Sequence, residues 1–158
     1  MPVELNLVTG VDLAPGAFLQ RWHYSSRRSE PTGVKRAAEL AAKKQARLHL
    51  LSIDGIDQGF VTLGIHQLKN QKQFHLQVIY LFVSAPFRKK RIDELEGMLA
   101  SEYLMGYVIS QAIEVSKFIP ASSIILETAS DKLYPLYESL GFSRLPDMPG
   151  WMSLPLPH

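Results

Sequence analysis

Cysteine is absent from this chain of 158 residues. The chain therefore has no disulfide framework, no thiolate metal site and no cysteine nucleophile. No stretch reaches the roughly 18 consecutive apolar residues that a membrane span needs; the longest apolar run, Val78–Val83, has the length of a strand. The segment from Met1 to Leu5 shows no basic region followed by an apolar run. No signal peptide is predicted, and we expect a cytoplasmic protein.

Metal-binding and serine-nucleophile patterns are missing as well. The 5 histidines have no helical i, i+4 pairing and no HExxH context, so no zinc site is predicted. The acidic segment from Asp93 to Glu96 is interpreted as a solvated turn. No G-x-S-x-G elbow presents a serine. We expect no metal.

Charge is nearly balanced and therefore says little about partners. The 17 lysines and arginines against 15 acidic residues leave a formal net charge of +2, too weak to predict nucleic-acid binding by itself. Clustering is more informative, because Arg88-Lys89-Lys90-Arg91 is a run of four consecutive cations. The length and the 46% hydrophobic content suit one globular domain, residues 1–158.

Hydrophobic periodicity predicts a mixed α/β fold rather than a regular βαβ alternation. The predicted order is strand, two helices, three strands, helix, strand, helix and two strands. In chain order the elements are a strand within 1–10, a helix from Asp12 to Trp22, a loop Ser25–Gly33, a helix Val34–Ala46, strands Leu48–Ile53, Gly59–His66 and Phe74–Val83, a helix ending near Lys117, a strand Ile124–Thr128, a helix Lys132–Leu140 and strands Phe142–Leu145 and Trp151–Leu156.

The strand Phe74–Val83 carries the strongest signal. One of its faces is apolar throughout, whereas the other becomes apolar only in its second half. That pattern predicts a central strand whose second face opens at one end to a site. Pro86 ends the strand, and the four cations follow directly.

Two segments of the sequence resemble motifs of a known protein family. Tyr134-Pro135-Leu136-Tyr137-Glu138-Ser139-Leu140-Gly141-Phe142 is similar to the C-terminal signature of the Gcn5-related N-acetyltransferase (GNAT) superfamily. Leu81-Phe82-Val83-Ser84-Ala85-Pro86-Phe87-Arg88-Lys89-Lys90 is similar to the family's central strand and the start of its pyrophosphate loop, and Asp54-Gly55 fits the preceding hairpin. The resemblance covers residues 48–156 well; the first 47 residues fit by element order alone.

The resemblance implies a twisted mixed sheet of about six or seven strands flanked by about four helices. It also implies an N-acetyltransferase that moves an acetyl group from acetyl-coenzyme A to an amine. The acceptor stays open among a small amine, a protein N-terminus or lysine, and an aminoacyl-tRNA. The oligomeric state stays open too, with a homodimer among the alternatives.

The resemblance further implies where coenzyme A binds. The diphosphate would lie where the basic run leads into a helix N-terminus, which favours anions, and strand backbone would pair with the pantetheine amides as an added strand does. The cofactor-binding residues predicted in this way are Phe82, Val83, Arg88, Lys89, Lys90, Arg91, Ser101 and Ser130.

The predicted diphosphate loop departs from the family pattern, which has closely spaced glycines. Here Gly97 and Gly106 come late and Ser101 stands where a glycine is expected, which we interpret as an insertion of roughly ten residues. Ser130 stands where the family often has an asparagine that contacts the pantetheine arm; a hydroxyl can still bond an amide there.

Tyr137 is the predicted catalytic residue, because the family's signature tyrosine often protonates the leaving thiolate. A phenol with a pKa of ~10 is protonated at neutral pH; the alternative is a core tyrosine. Tyr134, one turn earlier, is expected to pack. No carboxylate on the central strand offers a general base. His75 has a suitable pKa range, but it and His66 are interpreted as ordinary surface histidines.

The acceptor pocket has only weak signals. Trp22, Tyr24 and the pair Arg27-Arg28 lie between the first two helices, where the family often builds that pocket, but packing and surface charge are the favoured explanation. Two other functions remain open. A coenzyme A-binding regulatory module that has lost catalysis would suit the missing glycines, and a nucleic-acid-binding module would suit the basic run, with binding that weakens steeply in salt.

Overall fold

A computed structural model describes residues 2–67, 72–128 and 131–156. The strands are β1 Val3–Val8, β2 Arg47–Ile53, β3 Ile56–Gln67, β4 Phe74–Val83, β5 Ala121–Glu127, β6 Ser143–Arg144 and β7 Trp151–Pro155. The α-helices are α1 Pro15–Gln20, α2 Ser29–Ala42, α3 Ala100–Ser116 and α4 Tyr134–Ser139, with short 3-10 turns at Gly10–Leu13, Ala85–Phe87, Asp93–Leu95 and Asp131–Leu133.

The seven strands form one mixed sheet in the order β1-β2-β3-β4-β5-β7-β6. β4 and β5 are parallel, whereas β1 with β2, β2 with β3, β5 with β7 and β6 with β7 are antiparallel. A seven-stranded mixed sheet with four helices confirms the predicted fold class. No helix within the described ranges is long and apolar enough to cross a membrane.

Several predicted boundaries are wrong by a few residues. The second helix begins at Ser29 instead of Val34, so the second half of the predicted Ser25–Gly33 loop is helical. Pro31 is tolerated there because first-turn N–H groups have no partner inside the helix. The helix ends at Ala42 instead of Ala46, and Lys44 has a left-handed backbone (φ 60°).

The chain forms two compact units. Unit 1 consists of residues 1–63 and 80–105, and unit 2 consists of residues 64–79 and 106–158. Unit 1 has an aromatic core, in which the rings of Phe18, Trp22, Phe60 and Phe82 have centroids 5.3–5.7 Å apart in five tilted or edge-on pairs. Aromatic pairs favour such geometries. α2 covers this core with buried residues at helical spacing, namely Val34, Ala37, Ala38 and Ala41.

Unit 2 contains a bulged parallel pair. Phe74 opposes Ala121 and Leu76 opposes Ile124, so His75 alone stands against Ser122 and Ser123. Both serine hydroxyls bond its ring, at 2.7 Å from Ser123 and 3.2 Å from Ser122 to Nδ1. The last register pair of this ladder is Val78 with Leu126, whereas β4 runs on to Val83.

Candidate functional site

The candidate cofactor site begins beyond the last register pair of β4 with β5. β4 continues five residues beyond the Val78–Leu126 pair and ends at Val83. A connection of residues 84–99 then leads into α3 at Ala100. The predicted order of strand, basic run and long helix is therefore present. Strand residues beyond the last pair of a ladder can offer backbone groups to an extended ligand.

The Arg88 guanidinium is bound by other groups of the protein. Its two terminal nitrogens donate to the two carboxylate oxygens of Glu30, each at 2.9 Å, and its Nε donates to the carbonyl oxygen of Val83 at 2.7 Å. The guanidinium also lies 5.1 Å from the ring centroid of Phe82. Three of the five N–H donors that an arginine carries are thus engaged within unit 1. The predicted diphosphate role of Arg88 has to compete with this pairing.

The other three cations of the run are all exposed, and Arg91 alone of them is paired with described residues. Arg91 donates to the carbonyl oxygen of Gly97 at 3.2 Å and lies 3.6 Å from the Glu102 carboxylate. Lys89 and Lys90 are exposed and make no ion pair with any residue in the described ranges. The uncompensated positive charge of the loop therefore lies on these two lysines.

The loop takes left-handed turns without the glycines that the family pattern would supply. Lys89 has φ 57° and Glu96 has φ 58°, and only Gly97, with φ 79°, is a glycine. A left-handed conformation costs a non-glycine residue roughly 1–2 kcal/mol. Hydrogen bonds hold the second turn: Ile92 and Met98 form an isolated bridge, and the N–H of Gly97 donates to the Ile92 carbonyl at 3.0 Å.

Of the two serines predicted to bind coenzyme A, Ser101 lies among the described residues and Ser130 does not. Ser101 lies in the first turn of α3 and is half-buried, which is compatible with its predicted place near the diphosphate. In the same turn the Glu102 carboxylate accepts a hydrogen bond from the Leu99 N–H at 3.0 Å, so part of the N-terminal donor capacity of α3 is already used. Ser130 lies outside the described residues.

Phe82 and Val83, predicted to pair with pantetheine, are both buried. The Val83 carbonyl oxygen already accepts the Arg88 Nε–H, so a pantetheine amide at this oxygen would use its second lone pair. Gly59 of β3 packs directly against this backbone. A Cβ there would overlap the Phe82 carbonyl oxygen and come within 3.2 Å of the Val83 Cα.

The two tyrosines of α4 have different environments. The Tyr134 hydroxyl accepts a hydrogen bond from the Gly150 N–H at 2.9 Å, and the Arg144 guanidinium stacks 4.0 Å above its ring centroid. The prediction that Tyr134 packs is therefore confirmed. Tyr137 contacts Phe142 edge-on, with centroids 6.1 Å apart. Its hydroxyl has no hydrogen-bond partner among residues 2–67, 72–128 and 131–156, and burial raises its pKa.

The prediction that His75 is a surface histidine is wrong. Its side chain is buried, with 6% exposed, and the bulge against Ser122 and Ser123 explains why. Burial and the nearby His66 lower its pKa, so the ring is neutral at pH 7. His66 stacks on Trp151 with centroids 5.9 Å apart. His75 is not placed as a general base for the candidate cofactor site, because it lies near the start of β4 and that site begins at the strand's end.

Trp22 and Tyr24, the weak acceptor-pocket candidates, are packing residues. Trp22 is 4% exposed within the aromatic core. The Tyr24 hydroxyl donates to the Leu19 carbonyl at 2.7 Å, and its ring lies 5.6 Å from that of Phe82. Arg27 and Arg28 are exposed. No group of histidine, cysteine, aspartate and glutamate suited to a metal ion is found among the residues that the structure describes.

Sequence reasoning missed the two glutamates that organise the loop. Glu30 pairs with Arg88 across 58 residues of chain, and Glu102 contacts Arg91. An acidic residue in a helical first turn is a recognisable N-terminal signal. With the α2 start at Ser29, Glu30 carries that signal, but the sequence still does not indicate its partner.

The described fold has solved counterparts, although no family model and no curated protein matches the sequence. A structure of AtaTR bound with AcCoA superimposes with a TM-score of 0.76 at 14% identity, over 98% of this chain and 93% of that chain. The KacTA–DNA complex gives 0.73 at 15% identity over 98% and 94%. AtaT complexed with acetyl-methionyl-tRNAfMet gives 0.72 at 14% over 98% and 95%. The chain therefore has the GNAT-like fold of these proteins.

Proposed function

We propose that this chain is an N-acetyltransferase that transfers the acetyl group of acetyl-coenzyme A to an amine. The observation that carries the proposal is the path of β4, which continues beyond its last pair with parallel β5, Val78 with Leu126, and runs directly into a cationic loop that ends at the N-terminus of α3. An extended ligand with amides at one end and phosphates at the other fits this succession. The whole-chain likeness to AtaTR bound with AcCoA supports the same ligand.

Lys89 and Lys90 are proposed as the principal diphosphate-binding side chains. They carry the loop charge that no described carboxylate pairs, whereas Arg88 and Arg91 contribute mainly by shaping the loop. Lysine binds phosphate as a compact point charge and needs no fixed fork geometry. The backbone of Phe82 and Val83 and the hydroxyls of Ser101 and Ser130 complete the proposed set.

Tyr137 is proposed as the general acid that protonates the departing thiolate. Acyl transfer from a thioester forms the new amide bond, breaks the carbon–sulfur bond and leaves a thiolate that needs a proton. A phenol whose pKa is raised by burial keeps its proton at neutral pH, and its hydroxyl is not engaged by a described neighbour. Tyrosine-to-phenylalanine variants have been solved for both AtaT and KacT.

The acceptor proposed for the first test is an aminoacyl-tRNA. AtaT has been solved with acetyl-methionyl-tRNAfMet, and the exposed lysines of the cationic loop, Lys89 and Lys90, would attract a polyanion. A small amine and a protein amine remain the alternatives. We also propose a cytoplasmic location, where these acceptors occur, and a homodimer as the form to test by light scattering.

Binding of acetyl-coenzyme A is the experiment that tests the proposal. A ligand that binds only the folded state raises the melting temperature, by an amount that grows with its excess over Kd. We expect a rise with acetyl-coenzyme A and release of free thiol when methionyl-tRNA is added. The absence of a shift at millimolar ligand would contradict both catalysis and the alternative of a regulatory coenzyme A-binding module. A shift without thiol release for any amine would favour the regulatory module.

A further inference from the structure

We infer that Glu30 is a positioning residue for coenzyme A binding: its carboxylate fixes Arg88 so that the cationic loop presents Lys89 and Lys90 to the diphosphate. The inference rests on the proposed function of this loop. Glu30 itself is 7% exposed and is not proposed to touch the ligand. Its role is to set the shape of a loop whose own sequence lacks the usual glycines.

The Glu30 carboxylate is fully engaged by hydrogen bonds. One oxygen accepts from the Ser25 N–H at 3.0 Å and from Arg88 at 2.9 Å; the other accepts from the Ser25 hydroxyl at 2.5 Å and from Arg88 at 2.9 Å. A carboxylate offers about four acceptor positions, and all of them are used. The side chain therefore has one well-defined orientation, and so does the arginine fork that it holds.

Arg88 transmits that orientation to the end of β4. Its Nε donates to the Val83 carbonyl, and its guanidinium lies over the Phe82 ring. The first turn of α2 and the end of the central strand are thus joined through one guanidinium. Lys89 follows immediately with a left-handed backbone, a conformation that persists in a non-glycine residue only when the surroundings hold it.

A second set of bonds holds the beginning of the same loop. The His23 N–H donates to the Ser84 hydroxyl at 3.0 Å, and the Ala85 N–H donates to the His23 carbonyl at 2.8 Å. These bonds fix the loop where it leaves β4, whereas Arg88 and Glu30 fix it next to the lysines. Loss of the Glu30 pair should therefore loosen residues 88–91 and leave the first bonds in place.

Charge alone and loop positioning predict opposite effects of a Glu30 substitution on coenzyme A binding. Glu30→Gln removes a negative charge beside a cationic loop, which by charge alone strengthens the binding of a polyanion. If Glu30 positions the loop, the same change weakens binding. Asp57→Asn is the matched control, because Asp57 forms a comparable two-bond pair with Arg21, at 2.8 and 3.1 Å, within the same unit, and the charge change is identical.

The test measures the Kd of free coenzyme A by calorimetry for the unaltered chain and four variants. We expect Glu30→Gln to weaken binding at least tenfold and Glu30→Asp, which keeps the charge but shortens the reach, to weaken it similarly. Ser25→Ala removes the hydroxyl and with it one of the four bonds to Glu30, so it should weaken coenzyme A binding less than the Glu30 variants do. Because it leaves Glu30 in place, it still tests the inference if the Glu30 variants fail to fold. Asp57→Asn should stay within twofold.

Limited trypsin digestion gives a readout that does not depend on the ligand. We expect cleavage after Lys89, Lys90 and Arg91 to be faster in Glu30→Gln than in Asp57→Asn, with both proteins folded by circular dichroism. Coenzyme A binding that is unchanged or tighter in Glu30→Gln, or fully retained in Glu30→Asp, would overturn the inference while leaving the proposed function intact. If the unaltered chain binds no coenzyme A, the proposed function fails as well.

Discussion

Gly59 lies against the backbone of Phe82 so closely that no other residue fits between β3 and the end of β4. A Cβ at Gly59 would overlap the Phe82 carbonyl oxygen, and the Val83 Cα would be 3.2 Å away. The neighbouring atoms belong to backbone, which cannot rotate aside as a side chain can. The close approach therefore fixes the position of the strand segment that we propose to receive the pantetheine arm.

Gly59→Ala is expected to lower the free energy of unfolding by roughly 1–3 kcal/mol, the usual cost of overpacking, and to weaken coenzyme A binding. Urea denaturation and calorimetry measure the two effects. Gly106→Ala is the control, because Gly106 lies inside α3 with no atom within 4 Å of the added Cβ. That change should stabilise the chain by about 0.5–1 kcal/mol. Equal effects of the two substitutions would contradict the steric explanation.

Tyr137→Phe is expected to lower the turnover number by roughly 10²–10⁴-fold, the range for loss of a general acid, with coenzyme A affinity retained. Tyr134→Phe should leave turnover unchanged and lower the free energy of unfolding by about 1 kcal/mol, because its hydroxyl accepts the Gly150 N–H. Thiol release with an accepted amine and urea denaturation check both. Full activity of Tyr137→Phe would assign the proton to water or to another group.

Replacement of both loop lysines tests which cations bind the diphosphate. Lys89→Gln and Lys90→Gln should each weaken coenzyme A binding about fivefold, which corresponds to roughly 1 kcal/mol, the upper end for an exposed ion pair. Both substitutions should also make Kd less dependent on salt concentration. Lys43→Gln is the control, since Lys43 is an exposed cation of the same unit outside the loop. If Lys43→Gln weakens binding equally, general attraction rather than the loop accounts for the affinity.

Acid should destabilise the chain through Glu30. Burial alone would raise the pKa of this carboxyl, but the hydrogen bonds from Arg88 and Ser25 hold it at about 2, below its ordinary 4.5. The stabilisation is therefore complete above pH 4.5 and is lost as the pH falls toward 2, an effect on the order of 3 kcal/mol. The stabilities of the unaltered chain and Glu30→Gln should converge over that window. A constant difference would contradict the assignment.

Periodicity predicts the sheet well because its signal is local. The bounds of β4 agree with the prediction residue for residue, since alternation with period two is visible within ten residues. The predicted start of α2 is wrong because Pro31 resembles a loop signal in the sequence, although proline is compatible with a helical first turn. The type of each element is thus predictable from the sequence. The start of α2 is less so, because the hydrogen bonds from Ser25 to Glu30 beside it have no signature in the local sequence pattern.

The candidate site was predictable as a region but not as a network of bonds. The cationic run after Pro86 is visible in the sequence, yet nothing in it distinguishes Arg88, which pairs with Glu30, from the exposed Lys89. That difference arises from a partner 58 residues away. The prediction for His75 failed for the same reason, because the bulge that buries it depends on Ser122 and Ser123 of a distant strand.

The bulge at His75 also helps to fix the register between β4 and β5. Sliding β5 along β4 by one position would separate the imidazole from both hydroxyls that now bond it and would reverse which residues of the strand face each side. The register of the β4–β5 pair is therefore strongly specified, and so is the position of its last pair, Val78 with Leu126. Two serines at one end of the ladder thereby help to set which residues of the central strand lie beyond its other end.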